Sequence, residues 1–306
     1  MAFQKLNRNN VTEVGKHSIL SFDSVVDLVA WIKATKETKP SETNYTDEVE
    51  WRAGPEYKNS TPKQSKELVK DTYRRVDTGW QHGVDLMRKV ASDSGLDVFG
   101  NWSEASSVSW QDDEEGDEVD INAFLNHDPE PYNEPTPARC EERSLRIVVS
   151  IASSCLVESE QKVNFGVGCL AAISELHTQG IRIGLDVYNA SRKAYDKKGK
   201  RQRRFAVTVA LKDMDSDLHL PSVAFALANP AFLRVLQFQV CDRLFDGPWT
   251  SQGYPHHQIL DNVYRDRSDV IFIAPNWKEC STATDHYKMI SKTLSNKLKE
   301  QSRIIE

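Results

Sequence analysis

From residue 145 onward the apolar positions change period in a regular order. Leu145-Arg-Ile-Val-Val-Ser-Ile is a short, nearly continuous apolar run, which predicts a buried strand. Glu160 to Gln179 then places Val163, Val167, Leu170, Ala171 and Leu176 on one stripe at helical spacing, and Gly180 closes the stripe as a C-cap. Ile181-Arg-Ile-Gly-Leu-Asp-Val-Tyr and Phe205-Ala-Val-Thr-Val-Ala-Leu follow as two more strands. A long basic turn separates them, so they are expected to pair antiparallel. Pro221 opens a helix that Pro230 interrupts and that resumes from Ala231 to Phe245. Asp269-Val-Ile-Phe-Ile-Ala-Pro is another buried strand, and Thr282 with Asp285 is a weak capping-box match opening a last helix to about Lys299.

The first half has less pattern. Ser24 to Lys33 reads as a short amphipathic helix, with cap candidates from Ser21 to Ser24. Thr35 to Thr46 is a polar linker, and Val49 to Glu56 a short strand or turn ending at Gly54-Pro55. Ser65 to Ala91 is helical in pattern, with a break expected around Gly79. Ser92 to Cys140 is mostly irregular, carrying an acidic run and then Pro129, Pro131, Pro135 and Pro137. Three regions are therefore expected: a mainly helical 1–95, an irregular acidic and proline-rich arm at 96–140, and an α/β domain at 141–306.

At 306 residues the chain is long enough for two modest domains. Mean hydropathy is −0.56, and no apolar run approaches the roughly 18–20 residues that span a bilayer. The N-terminus lacks a signal peptide's apolar core, and five cysteines without metal-ligand spacing fit reduced thiols. The expected location is cytoplasmic, the host cytoplasm if phage-encoded. Net charge is −6, against general coating of nucleic acid. The charge is uneven, however: Gln111 to Asp120 is acidic, whereas 192–204 carries eight basic residues and one Asp.

A strand, crossover helix and parallel strand, followed by an antiparallel edge strand, matches the von Willebrand factor A (VWA) arrangement. The residues also resemble a family of uncharacterised, mostly phage-encoded proteins with a VWA-like C-terminal half. The matching stretches are Leu145 to Ser154, Gly168 to Leu176, Leu220 to Arg234, and Glu50 to Gly54 with Gly79-Trp80. The family's usual His-Pro-Ala-x-Leu-Arg-Arg is here Asn229-Pro-Ala-Phe-Leu-Arg-Val. The resemblance covers most of 141–295 and implies a phage or prophage origin, with no established activity. The expected fold is thus a VWA-like, mostly parallel sheet with an antiparallel edge strand and helices on both faces, preceded by a smaller, mainly helical N-terminal region.

A typical VWA domain binds Mg²⁺ where strand one ends in Asp-x-Ser-x-Ser. A hard cation needs oxygen ligands and a carboxylate to offset its desolvation. The corresponding residues here are Ser150, Ala152 and Ser154. The carboxylate and the first hydroxyl are missing, so no metal is expected unless Asp186 or Asp213 supplies a carboxylate. Ser150, Ser153 and Ser154 would still line the crevice at the carboxyl end of the sheet. With the N–H groups of the following helix they could take a phosphate or a peptide carboxylate. The competing reading is that small residues merely permit a tight turn.

Arg192, Lys193, Lys197, Lys198, Lys200, Arg201, Arg203 and Arg204 share one hairpin connection with Tyr195. Such a loop attracts a phosphate backbone, and the aromatic can stack on a base. A solvated tip, paired with the acidic run, is the simpler alternative. His256-His257 reads as a surface loop rather than a metal site, because adjacent side chains diverge. Asp213, Asp215 and Asp217 resemble the start of a calcium loop but lack its glycine and distal Glu. Gly166 and Gly168 suit close helix packing, and no hydrolase triad, phosphate loop or zinc-protease motif is present. The expectation is a non-enzymatic scaffold or adaptor without a cofactor. It would bind a protein partner, with homo-oligomerisation open and no membrane. Nucleic-acid binding through 192–204 is the alternative, and a metal-dependent phosphoesterase using Asp186, Asp213 and Asp269 the third.

Overall fold

A computed structural model of the chain describes residues 11–14, 17–35, 62–98, 108–113, 118–119, 132–137, 144–153, 157–194, 204–214, 216–244, 249–251 and 269–305. The elements in order are β1 (Val11–Val14), β2 (His17–Phe22), α1 (Val25–Ala34), α2 (Pro62–Thr78), α3 (Gln81–Ser94), β3 (Val108–Asp113), β4 (Glu118–Val119), β5 (Tyr132–Pro137), β6 (Ser144–Ser150), α4 (Ser159–Thr178), β7 (Arg182–Ala194), β8 (Arg204–Lys212), α5 (Leu220–Ala228), a π turn (Phe232–Gln237), α6 (Phe238–Leu244), β9 (Trp249–Ser251), β10 (Val270–Ile273) and α7 (Ala283–Ile305).

The fold is mixed α/β. Its main sheet runs β1-β2-β8-β7-β6-β10, with β9 also on β7. The pairs β2–β8, β6–β7 and β6–β10 are parallel, whereas β7–β8 is antiparallel. The apolar runs from Leu145 to Leu211 thus form the strand–helix–strand–strand order that their periodicity predicts. α4 ends as expected: Gly180, at φ 78°, follows the last turn, and the N–H groups of Gly180 and Ile181 reach back to His177 and Leu176. α7 opens on the Thr282–Asp285 capping box, with Asp285 N–H donating to Thr282 Oγ1 at 3.2 Å and Thr282 N–H to Asp285 Oδ2 at 3.2 Å.

One expectation needs correction: β8 is antiparallel to β7 but is not an edge strand. β2 lies outside it in parallel, with Leu20 opposite Val207, and β1 outside that. The described helices pack on one face of the sheet. All seven give residues to one core, together with Leu145, Ile147 and Val149 of β6 and Ile183, Leu185 and Val187 of β7. The alternate strand residues Ile19, Val148, Tyr188, Ala190, Ala206 and Val270 make a smaller cluster on the other face that, among the described residues, contains no helix residue. The strands are apolar on both faces, which in sequence is indistinguishable from a sheet sandwiched by helices. Residues 1–95 supply α1, α2 and α3 and also β1 and β2 of the sheet, with Leu20, Leu28, Val84 and Met87 in the shared core. Within 96–140 the described strands form a small antiparallel sheet of order β3-β5-β4. Residues 49–56 lie outside the described residues.

Two glycines show why the helices fit. Gly79 breaks α2 from α3 with φ 74°, and a Cβ there would stand 2.3 Å from Pro221 Cβ. Trp80 N–H then donates to the Pro221 carbonyl at 3.0 Å, tying the break to α5. Gly168 lets α7 approach α4: a Cβ there would stand 2.7 Å from Ala283 O, His286 Cβ and Tyr287 N. Two of these are backbone atoms that cannot swing aside. Gly168→Ala is expected to cost about 1–3 kcal/mol through overpacking. The check is a lower urea midpoint at unchanged slope. A variant as stable as the wild type would mean that the two helices part freely.

Candidate functional site

The carboxyl ends of β6 and β10, with the loops that follow them, form the crest where sheets of this kind place a ligand. Ser150 closes β6. It alternates onto the face of the smaller apolar cluster, opposite Tyr188 of β7, and is fully buried. Its Oγ accepts the Ala152 N–H at 3.3 Å, and Ile151 N–H donates to the Tyr188 carbonyl at 3.0 Å. Ser153 is buried with its Oγ unpartnered. Ser154 lies outside the described residues. At the start of α4 a capping box joins Glu158 and Gln161, with Glu158 N–H donating to Gln161 Oε1 at 3.2 Å. The first turn of that helix is thus served by the chain's own side chains.

From across the crest, Trp277 in the loop after β10 donates its indole N–H to the Ala152 carbonyl at 3.2 Å. Asn164 of α4 donates to the Ser281 carbonyl at 2.8 Å, holding the same loop. Beneath the indole, Phe165 of α4 and His286 of α7 complete a group of three rings. Their centroids are 5.4 Å (Phe165–Trp277), 5.3 Å (Phe165–His286) and 5.8 Å (Trp277–His286) apart, all edge to face. His286 is fully buried and neither ring nitrogen has a partner. Burial lowers its pKa to about 4, with Asp285 acting weakly in the other direction. The imidazole is therefore neutral at pH 7. Burial likewise pushes the Cys169 thiol up to about 12, so this cysteine carries no thiolate at neutral pH.

The carboxylates weighed for metal binding stand away from the crest. Asp186 is level with Val148, two residues or about 7 Å below Ser150 along the sheet. Its carboxylate takes an ion pair from Arg146 at 2.7 Å. Arg146 also reaches Asp213 at 3.6 Å, and its N–H donates to the Asp269 carbonyl at 2.8 Å. Gly184 leaves room for this: a Cβ there would meet Arg146 Cζ at 3.5 Å and Met214 Cε at 3.3 Å. Asp186 and Asp213 thus share the Arg146 guanidinium below the crest, while Asp269 meets the backbone of the same residue through its carbonyl. Neither Asp186 nor Asp213 supplies a carboxylate to the serine crest. Among the described residues no group of three His, Cys, Asp or Glu side chains could hold a metal ion.

Of the basic connection, β7 carries the backbone of Arg192 and Lys193, and β8 begins at Arg204. Tyr195, Lys197, Lys198, Lys200, Arg201 and Arg203 lie outside the described residues, as do His256 and His257. Sequence reasoning passed over Arg146, Phe165 and His286, and it reached Trp277 only as one of seven tryptophans of which most are expected to be core or interface anchors. One signal was available: buried Ala283, His286, Ile290 and Leu294 recur at helical spacing, which puts a histidine on an apolar stripe.

Fold and crest together define a mixed α/β sheet protein in which an indole from the loop after β10 bonds the loop after β6. A family model described as a domain of unknown function, DUF7192, matches residues 7–299, and the chain belongs to that family. No curated protein and no solved structure matches it. Among the described residues no single helix is long and apolar enough to cross a membrane.

Proposed function

We propose that this chain is a non-enzymatic binding scaffold or adaptor, built on a VWA-like sheet that has exchanged its cation site for an aromatic closure. The VWA reading is supported by the strand order β8-β7-β6-β10 with β8 antiparallel. β2 and β1 then extend that plan beyond what would be its edge. The observation that carries the functional reading is the Trp277 indole on the Ala152 carbonyl, at a crest lined by serine instead of carboxylate. A crest of this kind offers shape and surface to a macromolecule. A protein partner is the proposed occupant. Phage origin, from the family resemblance, and a cytoplasmic setting belong to the same proposal.

The test is affinity isolation of the full chain from expressing cells, with nuclease and EDTA washes. A protein retained at fixed stoichiometry through both washes is the expected result. Retained material that nuclease removes, or divalent-dependent hydrolysis of a phosphoester by the pure chain, would overturn it. A second reading, nucleic-acid binding, draws on one topological fact. β7 runs past Tyr188 to Ala194, so the basic connection leaves the sheet at the same end as the crest. Under that reading, neutralising Lys197, Lys198, Lys200 and Arg201 lowers DNA retention and flattens its salt dependence.

A further inference from the structure

The three-ring group under the crest contains a polar side chain that its surroundings tolerate only in one protonation state. His286 is fully buried, touches Phe165 and Trp277 edge to face, and offers both nitrogens to nothing. Trp277 is in turn the residue that spans the crest to Ala152. We propose that His286 is the pin of an acid-released latch: the neutral ring stays wedged between α4 and Trp277 and holds the crest shut, and the protonated ring leaves the cage and frees Trp277.

The charges around it leave the imidazolium no shelter. Asp285, beside it on α7, is the one carboxylate that acts on it, but Asp285 is already engaged by the Thr282 hydroxyl at 2.7 Å, which holds its carboxyl below the usual range. On α4, Glu175 accepts from Tyr287 and Ser291, and Lys162 is itself buried. The charged residues of α3, and Lys278 and Glu279 of the loop before α7, are solvent-exposed. β10 carries no charge. A proton on His286 in the closed state therefore meets an apolar cage, while in the open state it meets water.

The sign follows. The closed state binds the proton only near pH 4, whereas an exposed imidazole titrates near 6.5. The open state thus takes up protons first, and opening grows as pH falls from about 6.5 toward 4. Below that both states are protonated and no further opening is gained. Between pH 7 and pH 5 these two values raise the open fraction about 20-fold.

Hydrogen exchange of the full chain, corrected for the intrinsic pH dependence of amide exchange, reads this directly. Amides of 151–153 and 276–287 are expected to lose about 20-fold in protection from pH 7 to pH 5, while those of Ile183 to Val187 in β7 hold. His286→Phe should flatten the pH response, with His286→Leu as the substitute where the larger ring is not accommodated. Trp277→Phe, which keeps a ring but loses the donor, should leave 151–153 poorly protected at both pH values. The latch is overturned if the wild type shows no change, if the His286 variants respond like the wild type, or if β7 loses protection in step. Full protection of 151–153 in Trp277→Phe would overturn it equally.

Discussion

Replacing Arg146 with methionine should cost about 3 kcal/mol, the low end of the range for breaking a buried ion pair. Its partner Asp186 is almost fully buried, with its side chain 8% exposed, so loss of the guanidinium leaves a buried charge with little access to water. Arg146 itself keeps 23% exposure, which is why the upper end of the range does not apply. Asp213 contributes little, since its side chain is 71% exposed and re-solvates when Arg146 is gone. Removing both charges as Arg146→Met with Asp186→Leu should recover most of the loss, because the two side chains then extend the apolar face made by Val148 and Tyr188. Equilibrium urea unfolding of the two variants decides between these outcomes. A double variant as unstable as the single one would mean that the carboxylate does more than answer the guanidinium. A single variant within about 0.5 kcal/mol of the wild type would mean that the pair is effectively solvated.

That ion pair also explains why the trio Asp186, Asp213 and Asp269 was visible in sequence while its purpose was not. Three carboxylates at strand ends suggest a cation. The cation beside Asp186 and Asp213 is the Arg146 guanidinium of β6, set opposite Gly184 by strand register, and register is not written in any single segment. The same division runs through the fold. Elements with local signals were legible: α4 through its apolar stripe and Gly180, α7 through Thr282 and Asp285, and the break at Gly79. β2 was not, because its six residues acquire their meaning from β8, where Thr208 donates to Ser21 across 187 positions of sequence. The π turn at Phe232–Gln237 was read as ordinary helix, since a segment buried on all sides has no face whose spacing would betray the extra residue per turn. At the crest the serines were legible as a loss. What replaced the lost ligands was not, because Trp277 reaches Ala152 from 125 residues away.

Phe165→Ala should be the most damaging single truncation at the crest, at about 3–5 kcal/mol. Phe165 is 1% exposed and its ring meets both Trp277 and His286 edge to face. Its removal opens a void that the neighbours cannot easily fill. α4 and α7 are already held at closest approach by Gly168, so the helices cannot move nearer, and Trp277 is fixed at its far edge by Ala152. Water entering the void would find the two unpartnered nitrogens of His286, which offsets part of the loss and raises the imidazole pKa toward its ordinary value. Two measurements therefore belong together: the urea midpoint of Phe165→Ala, and the His286 titration by NMR in the same variant. A large drop in midpoint with His286 titrating closer to 6.5 is expected. A midpoint near that of the wild type, or an imidazole that still titrates near 4, would show that the cage does not depend on this ring.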